Sequence, residues 1–299
     1  RHLLFGGKPV GPEGCLRNPD MGAHLMIILG VDASKYQGLS GMSHHRFDSL
    51  DDAGVRFGIF RATIGTQRDR SCEENLKRAK GRGWVFGTYH FLVPGDTDAQ
   101  AEAYAAQLKS IGVYGDGLAV CDVEQAGLTS TMVRRFVRRF RELRPDQPLG
   151  CYTSSYKWRS LTGNMDGADL FDYLWNALWT QRSTRGKEDL PDTPPRVRYG
   201  GWKEARLWQY GMFRAQGVRL DGNAFYGTID ELRDLGIKKA PPLKERPNYR
   251  KGYNAVIEKA LGSVWTNPAS NGPAYDLGEK DAADDLRERI KDLRIGEPV

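Results

Sequence analysis

Seven short apolar runs, at 25–31, 57–64, 85–92, 118–123, 149–153, 173–179 and 206–210, recur through the first 230 residues of this 299-residue chain. Between several of them lie stretches with apolar residues at helical spacing, at 73–82, 98–111 and 131–143, the last ended by Pro145. Strand then helix, repeated, requires parallel strands joined by crossovers, because a tight turn cannot close a parallel pair. The expected fold is α/β, an irregular TIM-like (β/α) barrel. The 181–199 segment, rich in Pro, Arg and Asp, reads as a loop, so the helical shell is expected to be incomplete. One barrel over 26–237 accounts for most of the chain, since such barrels occupy roughly 200–250 residues as a single domain. A short extension at 1–25 precedes it. A stiff, charged, Pro-rich linker at 238–247 follows, then a small segment at 248–299 in which Ala283, Leu286, Ile290 and Leu293 are spaced as on a helix.

Composition excludes several classes. No apolar run approaches the roughly 18 residues that span a membrane, so membrane insertion is not expected. Cys15, Cys72, Cys121 and Cys151 form neither a disulfide framework nor a zinc or Cys-x-x-Cys pattern; they read as buried thiols, with Cys121 and Cys151 on two strands that could face each other. His44-His45 has no second ligand cluster, and no metal or cofactor is expected. The formal net charge of +6 favours an anionic polymer or surface without choosing one. Arg134-Arg135-Phe136-Val137-Arg138-Arg139-Phe140-Arg141 places Val133, Val137, Phe140 and Leu143 on one stripe and the arginines on a solvated face, and no nucleic-acid-binding motif accompanies it.

The run at 118–123 leads into Asp122-Val123-Glu124. Strand side chains alternate, so these two carboxyls point the same way, about 6–7 Å apart along the backbone. Burying like charges together raises the pKa of at least one. Packing gains nothing from this, whereas acid–base chemistry uses one carboxyl kept protonated beside another kept ionised. The bland alternative is a pair of solvated acids at a loop edge. In a (β/α) barrel, catalytic groups gather at the C-terminal strand ends. Asp32, His90, Asp122, Glu124 and Asp221 fall at or near such positions, as do Tyr36, Tyr89, Tyr152, Trp179 and Trp208, whose ring faces suit the C–H surface of a sugar. For Trp175 and Trp208 a purely core role weighs about equally.

In order along the chain, Gly30-Val31-Asp32-Ala33-Ser34-Lys35-Tyr36-Gln37-Gly38, Gly87-Thr88-Tyr89-His90-Phe91, Asp122-Val123-Glu124, Tyr152-Thr153, Leu174-Trp175-Asn176-Ala177, Leu207-Trp208-Gln209-Tyr210 and Val218-Arg219-Leu220-Asp221-Gly222-Asn223-Ala224-Phe225 resemble the motifs of glycoside hydrolase family 25 lysozymes. The resemblance covers roughly two thirds of the chain. It implies a muramidase cleaving the β-1,4 bond between N-acetylmuramic acid and N-acetylglucosamine in bacterial peptidoglycan, with no cofactor. Carried over by position, Glu124 is the general acid and Asp122 assists the attacking group, either a water or the substrate's acetamido oxygen. Asp32 and Asp221 complete the acidic floor; three ionised aspartates would keep Glu124 protonated. Tyr36, Arg61, Tyr89, Tyr152, Trp179, Gln209 and Asn223 are the expected substrate-binding residues. One departure stands in Arg61-Ala62-Thr63-Ile64-Gly65: Arg61 replaces the more usual lysine, and Ile64 stands where family members often carry an acid.

The resemblance implies a phage lysin or virion-associated lysozyme. The start, Arg1-His2-Leu3-Leu4-Phe5, lacks a signal-peptide core, so release through a phage lysis system or carriage in a virion is expected, with other virion proteins as partners of the C-terminal segment. A catalytically silent wall-binding or structural virion module on the same barrel is the second reading; a chitinase-like barrel is the third, disfavoured because Leu118 and Val120 stand where its earlier acids would fall.

Overall fold

The barrel strands are buried on both faces, and the sheet closes on itself through the pairing of its first strand with the strands on either side of it. The computed structural model describes residues 26–184, 186–215 and 217–237; the expected extension at 1–25, the linker at 238–247 and the segment at 248–299 lie outside them. The elements are, in order, β1 (Ile27–Ala33), α1 (His44–Asp52), β2 (Val55–Ile64), β3 (Gln67–Arg68), α2 (Ser71–Gly81), β4 (Val85–Phe91), α3 (Thr97–Ser110), β5 (Leu118–Asp122), α4 (Ser130–Leu143), β6 (Leu149–Thr153), α5 (Ser155–Thr162), β7 (Tyr173–Thr184), β8 (Leu207–Ala215), β9 (Val218–Tyr226) and α6 (Ile229–Asp234). Around the barrel the strands run β1-β2-β4-β5-β6-β7-β8-β9 and back to β1, with β3 a short ribbon on β2. Every neighbouring pair from β1 to β8 is parallel, whereas β9 is antiparallel to both β8 and β1. Five helices of eight or more residues cover the β1 to β6 side. Between β7 and β8 the described residues hold only a 3-10 turn at Lys187–Asp189, and β8 turns directly into β9, so the shell is incomplete, as expected.

The alternation sorts each strand into two layers. Ile28, Phe57, Ile59, Val85, Leu118, Val120, Tyr173, Trp175, Leu207 and Phe225 fill the barrel interior. Their sequence neighbours, including Leu29, Phe60, Ala119, Cys121, Cys151, Leu174 and Trp208, pack outward with residues of the helices. Fully burying a large apolar side chain contributes about 1.5–3 kcal/mol, so register is held from both sides. Glycines admit the largest interior rings. A Cβ on Gly150 would lie 2.2 Å from the Tyr173 ring. Gly150→Ala should therefore destabilise by about 2 kcal/mol, read as a lower urea midpoint at unchanged slope.

Three features differ from the sequence reading. β7 continues to Thr184, into the segment read as a loop. β9 is an additional strand, although it carries the turn-like Asp221-Gly222-Asn223; Gly222 is accommodated because a Cβ there would meet the Tyr210 ring at 2.4 Å. The short helices α1, α5 and α6 bury too few apolar residues to show a period. In α4 the buried stripe is Val133, Phe136, Val137 and Phe140, while Leu143 is exposed. Its arginines pair outward, Arg135 with Asp98 at 2.6 Å and Arg139 with Glu102 at 2.7 Å. Cys121 and Cys151 are register partners on β5 and β6, both buried free thiols.

Candidate active site

The interior parity that fills the barrel with apolar side chains turns polar at the C-terminal strand ends. Counting by twos from Ile28, Ile59, Val85, Leu118 and Leu207 reaches Asp32, Arg61, Tyr89, Asp122 and Gln209, which meet at one mouth. They line a cavity of about 240 Å³ together with Tyr36, Glu124, Tyr152, Trp175 and Asp221. Four carboxyls from three parts of the chain thus share one depression.

Each acid is held by its backbone. Asp122 is the last residue of β5, and its carbonyl accepts from Leu92 N. Val123 is pinned on both sides: its N–H donates to Tyr152 O at 2.9 Å and its carbonyl accepts from Thr153 Oγ1 at 2.8 Å. That fixes the chain entering Glu124. Asp32 and Asp221 are direct partners across the antiparallel β1–β9 pair, a like-charge juxtaposition that costs stability.

A hydrogen-bond chain orients Asp32. Gln209 Oε1 accepts from Tyr152 Oη at 2.9 Å and from Trp179 Nε1 at 2.8 Å, so its amide nitrogen faces Asp32 Oδ2 at 2.9 Å. Asn223 Oδ1 accepts from Trp175 Nε1 at 2.8 Å, turning Nδ2 onto the same oxygen at 2.8 Å. Both amides are oriented by donors that can only donate or that have one acceptor in reach.

Burial raises all four carboxyls. For Asp122 burial comes first, followed by the charges of Glu124 and Asp32, against the opposing pull of Arg61 and Lys157. Asp32 is raised by burial and then by Asp221, which outweigh its two amide donors. Glu124, half-buried, is raised by burial against Lys157, with Asp221 adding to the rise; burial also raises Asp221. Asp32 and Asp122 are buried more deeply than Glu124, and burial pushes Asp32 up to about 8, so the local burial does not favour three ionised aspartates around one protonated Glu124. One oxygen of Asp122, Oδ1, is buried with no hydrogen-bond partner within the protein.

The remaining sequence expectations divide. Tyr36, Arg61, Tyr89, Tyr152 and Gln209 line the cavity, and Tyr36 is 78% exposed at its lip. Trp179 is 55% exposed and reaches the site through Gln209; Asn223 is buried behind Asp32. His90 does not join the rim. It faces outward, its Nδ1 2.7 Å from Thr63 Oγ1 and its ring stacked 4.7 Å from Phe136, and burial pushes its pKa down to about 3. Trp208 also faces outward and donates to Leu178 O, while Trp175 lines the cavity.

Asp69 escaped the sequence reading. Its Oδ2 meets Arg61 Nε at 2.8 Å in a pair almost fully buried, and accepts from Lys35 N; its Oδ1 accepts from Ser71 N and Oγ. Burial opposes ionisation, but these four donors outweigh it and hold the carboxyl below its usual value. The available signal was Arg61 itself, a charge inside an apolar strand that demands a partner. Arg61→Ala leaves Asp69 buried and uncompensated, so we expect a loss of about 3 kcal/mol, measured by denaturant unfolding.

Neighbouring carboxyls in an open-mouthed, aromatic-lined cavity at the C-terminal end of a (β/α) barrel are the arrangement of a glycoside hydrolase. The family model described as Glycosyl hydrolases family 25 matches residues 31–215, and the chain belongs to that family. Lysozyme M1 of Streptomyces globisporus is 27% identical over 251 residues, 78% of this chain and 79% of that protein. The N,O-diacetylmuramidase of Chalaropsis sp is 26% identical over 226 residues, 70% of this chain and 98% of that protein. Among solved structures, the bacterial lysozyme from Streptomyces coelicolor superposes with a TM-score of 0.55 at 24% identity, covering 70% of this chain and 96% of its own.

Proposed function

We infer that this chain is an N-acetylmuramidase that hydrolyses the β-1,4 bond between N-acetylmuramic acid and N-acetylglucosamine in bacterial peptidoglycan. The observation that carries the reading is the placement of Asp122 and Glu124, two residues apart in one cavity, with the more open carboxyl at the mouth. Glu124 is the general acid: partial burial keeps its proton available, and its exposure lets it reach a glycosidic oxygen. Asp122, which lines the same cavity, takes a hydrogen bond from the attacking group, a water or the substrate's own acetamido group. Asp32, held by Gln209 and Asn223, and Asp221 turn carboxyl oxygens towards the place where oxocarbenium-like charge develops. Tyr36, Tyr89, Tyr152, Trp175 and Trp179 offer ring faces and edges to the sugars, and Arg61 sets the wall beneath Tyr36, its guanidinium 5.2 Å from that ring.

Purified peptidoglycan and chitin, offered separately, test the substrate. Soluble fragments from peptidoglycan alone support the reading; turnover of chitin alone contradicts it, and wall binding without release would favour the silent wall-binding module.

The finer reading, a phage lysin or virion-associated lysozyme acting with other virion proteins, is proposed on the sequence pattern. Its test is immunodetection of the chain in purified particles and in lysates at the time of host lysis. Absence from both would contradict it.

A further inference from the structure

Beside the acidic cavity lies a second, larger depression of opposite charge. This open groove of about 1220 Å³ is walled by the segment after β1, the β3 ribbon and the first turns of α2. Five cations line it, Lys35, Arg68, Arg70, Lys77 and Arg78, against the carboxylates of Glu73 and Glu74. Glu74 is already held by Arg78 at 2.9 Å. Among the described residues Lys35, Arg68, Arg70 and Lys77 make no ion pair, and all four are exposed. Arg78 Nε is buried without a hydrogen-bond partner. Other exposed arginines, Arg134 on α4 among them, also make no ion pair, so what marks this groove is that four such cations gather in one concave surface.

The groove is continuous with the cavity through shared backbone. Ser34 and Tyr36 line the cavity while Lys35, between them, lines the groove. On β2 and its ribbon, Arg61 faces the cavity and Gln67 and Arg68 the groove. The two depressions therefore share a wall one chain thick.

We propose that this basic groove is a subsite for the anionic peptide branch of peptidoglycan, the short stem carried on the lactyl group of muramic acid, whose free carboxylates it takes. The proposal rests on the muramidase reading and names the part of the substrate that the acidic cavity, by its own charge, would repel. An extended peptide covers about 3.5 Å per residue, so a stem of a few residues leads out of the cavity and along the groove. Multiple carboxylates meet multiple unpaired cations, and an acidic cleft gains a docking handle for an anionic polymer.

The test uses three substrates: peptidoglycan freed of wall teichoic acid, the same material stripped of stem peptides by an amidase, and walls that retain teichoic acid. The full chain is compared with Arg68→Ala/Arg70→Ala/Lys77→Ala and with Arg68→Glu/Lys77→Glu, all at exposed positions outside the catalytic cavity. Three exposed charge contacts, each of modest strength, predict about a tenfold lower kcat/KM for the triple variant on peptide-bearing glycan. Rates on peptide-free glycan should stay unchanged, which also certifies the fold. Charge reversal should lower the peptide-bearing rate further, and added salt should bring the wild type towards the triple variant. Equal losses on both glycans, or no loss on either, overturn the proposal. So does a loss confined to walls bearing teichoic acid, which would assign the groove to a phosphate polymer. Co-sedimentation of Glu124→Gln, with and without the groove substitutions, on peptide-bearing and peptide-free glycan reads binding without turnover. If the wild type cleaves no glycan, the muramidase reading fails separately, and this binding arm alone decides the groove.

Discussion

Glu124→Gln is expected to lower turnover of peptidoglycan by at least about a thousandfold while leaving wall binding intact. The amide keeps the shape of the side chain and removes the transferable proton, and a positioned general acid contributes about 10²–10⁴-fold. His90, near a strand end, does not serve as a substitute donor: it faces away from the cavity and is held neutral by burial. A leaving-group series separates a lost proton from a distorted site. With aryl glycosides whose leaving group departs without protonation, the defect should shrink markedly; a defect equally large for every leaving group would mean that Glu124 acts otherwise.

Asp122→Asn is expected to lose activity by about a hundredfold or more and to gain stability. In the wild type the carboxyl is buried, raised by that burial and by the charges of Glu124 and Asp32, and leaves Oδ1 without a partner. A carboxyl whose folded pKa exceeds its unfolded value binds more protons in the native state. Stability then falls as pH rises from about 3.8 through the folded value. The neutral amide removes that dependence. Its advantage should therefore be small at pH 4, grow towards pH 7 and above, and reach about 1–2 kcal/mol, or roughly 2–8 °C in Tm for a barrel of this size. Chemical unfolding at several pH values checks it. An Asp122→Asn protein less stable than wild type at pH 7 would mean that the carboxylate is a stabilising anion rather than strain held for function.

Strand–helix alternation was legible because seven of the eight barrel strands are apolar on both faces, and burial on both faces leaves nearly unbroken runs. β9 was hidden by Asp221-Gly222-Asn223, which reads locally as a turn and is a strand only because β1 and β8 pair with it on either side. The four carboxyls were legible for a similar reason: each ends or interrupts an apolar run where packing has no use for it. Face was harder than position. Tyr89 and His90 are adjacent, so only one can enter the barrel, and a shift of one residue exchanges them; counting from Val85 would have chosen Tyr89. Trp208, left open between core and site, faces outward, and its neighbour Gln209 enters the cavity. Asn223 was found as a site residue, yet its work, aiming an amide at Asp32, depends on Trp175 from another strand. Asp69 sits in polar sequence after the β3 ribbon, and only its contact with Arg61 gives it meaning. The order of burial among the carboxyls was beyond the sequence: Asp32 and Asp122 lie deeper than Glu124, and depth is a property of the closed barrel.

The central claim is that this cavity cleaves the glycosidic bond on the muramic-acid side by proton donation from Glu124. The most direct measurement is borohydride reduction of the fragments released from purified peptidoglycan, followed by identification of the reduced ends, for the wild type beside Glu124→Gln. The account predicts muramitol ends from the wild type and almost none from the variant. Glucosaminitol ends from the wild type, or muramitol released equally by both proteins, would contradict it.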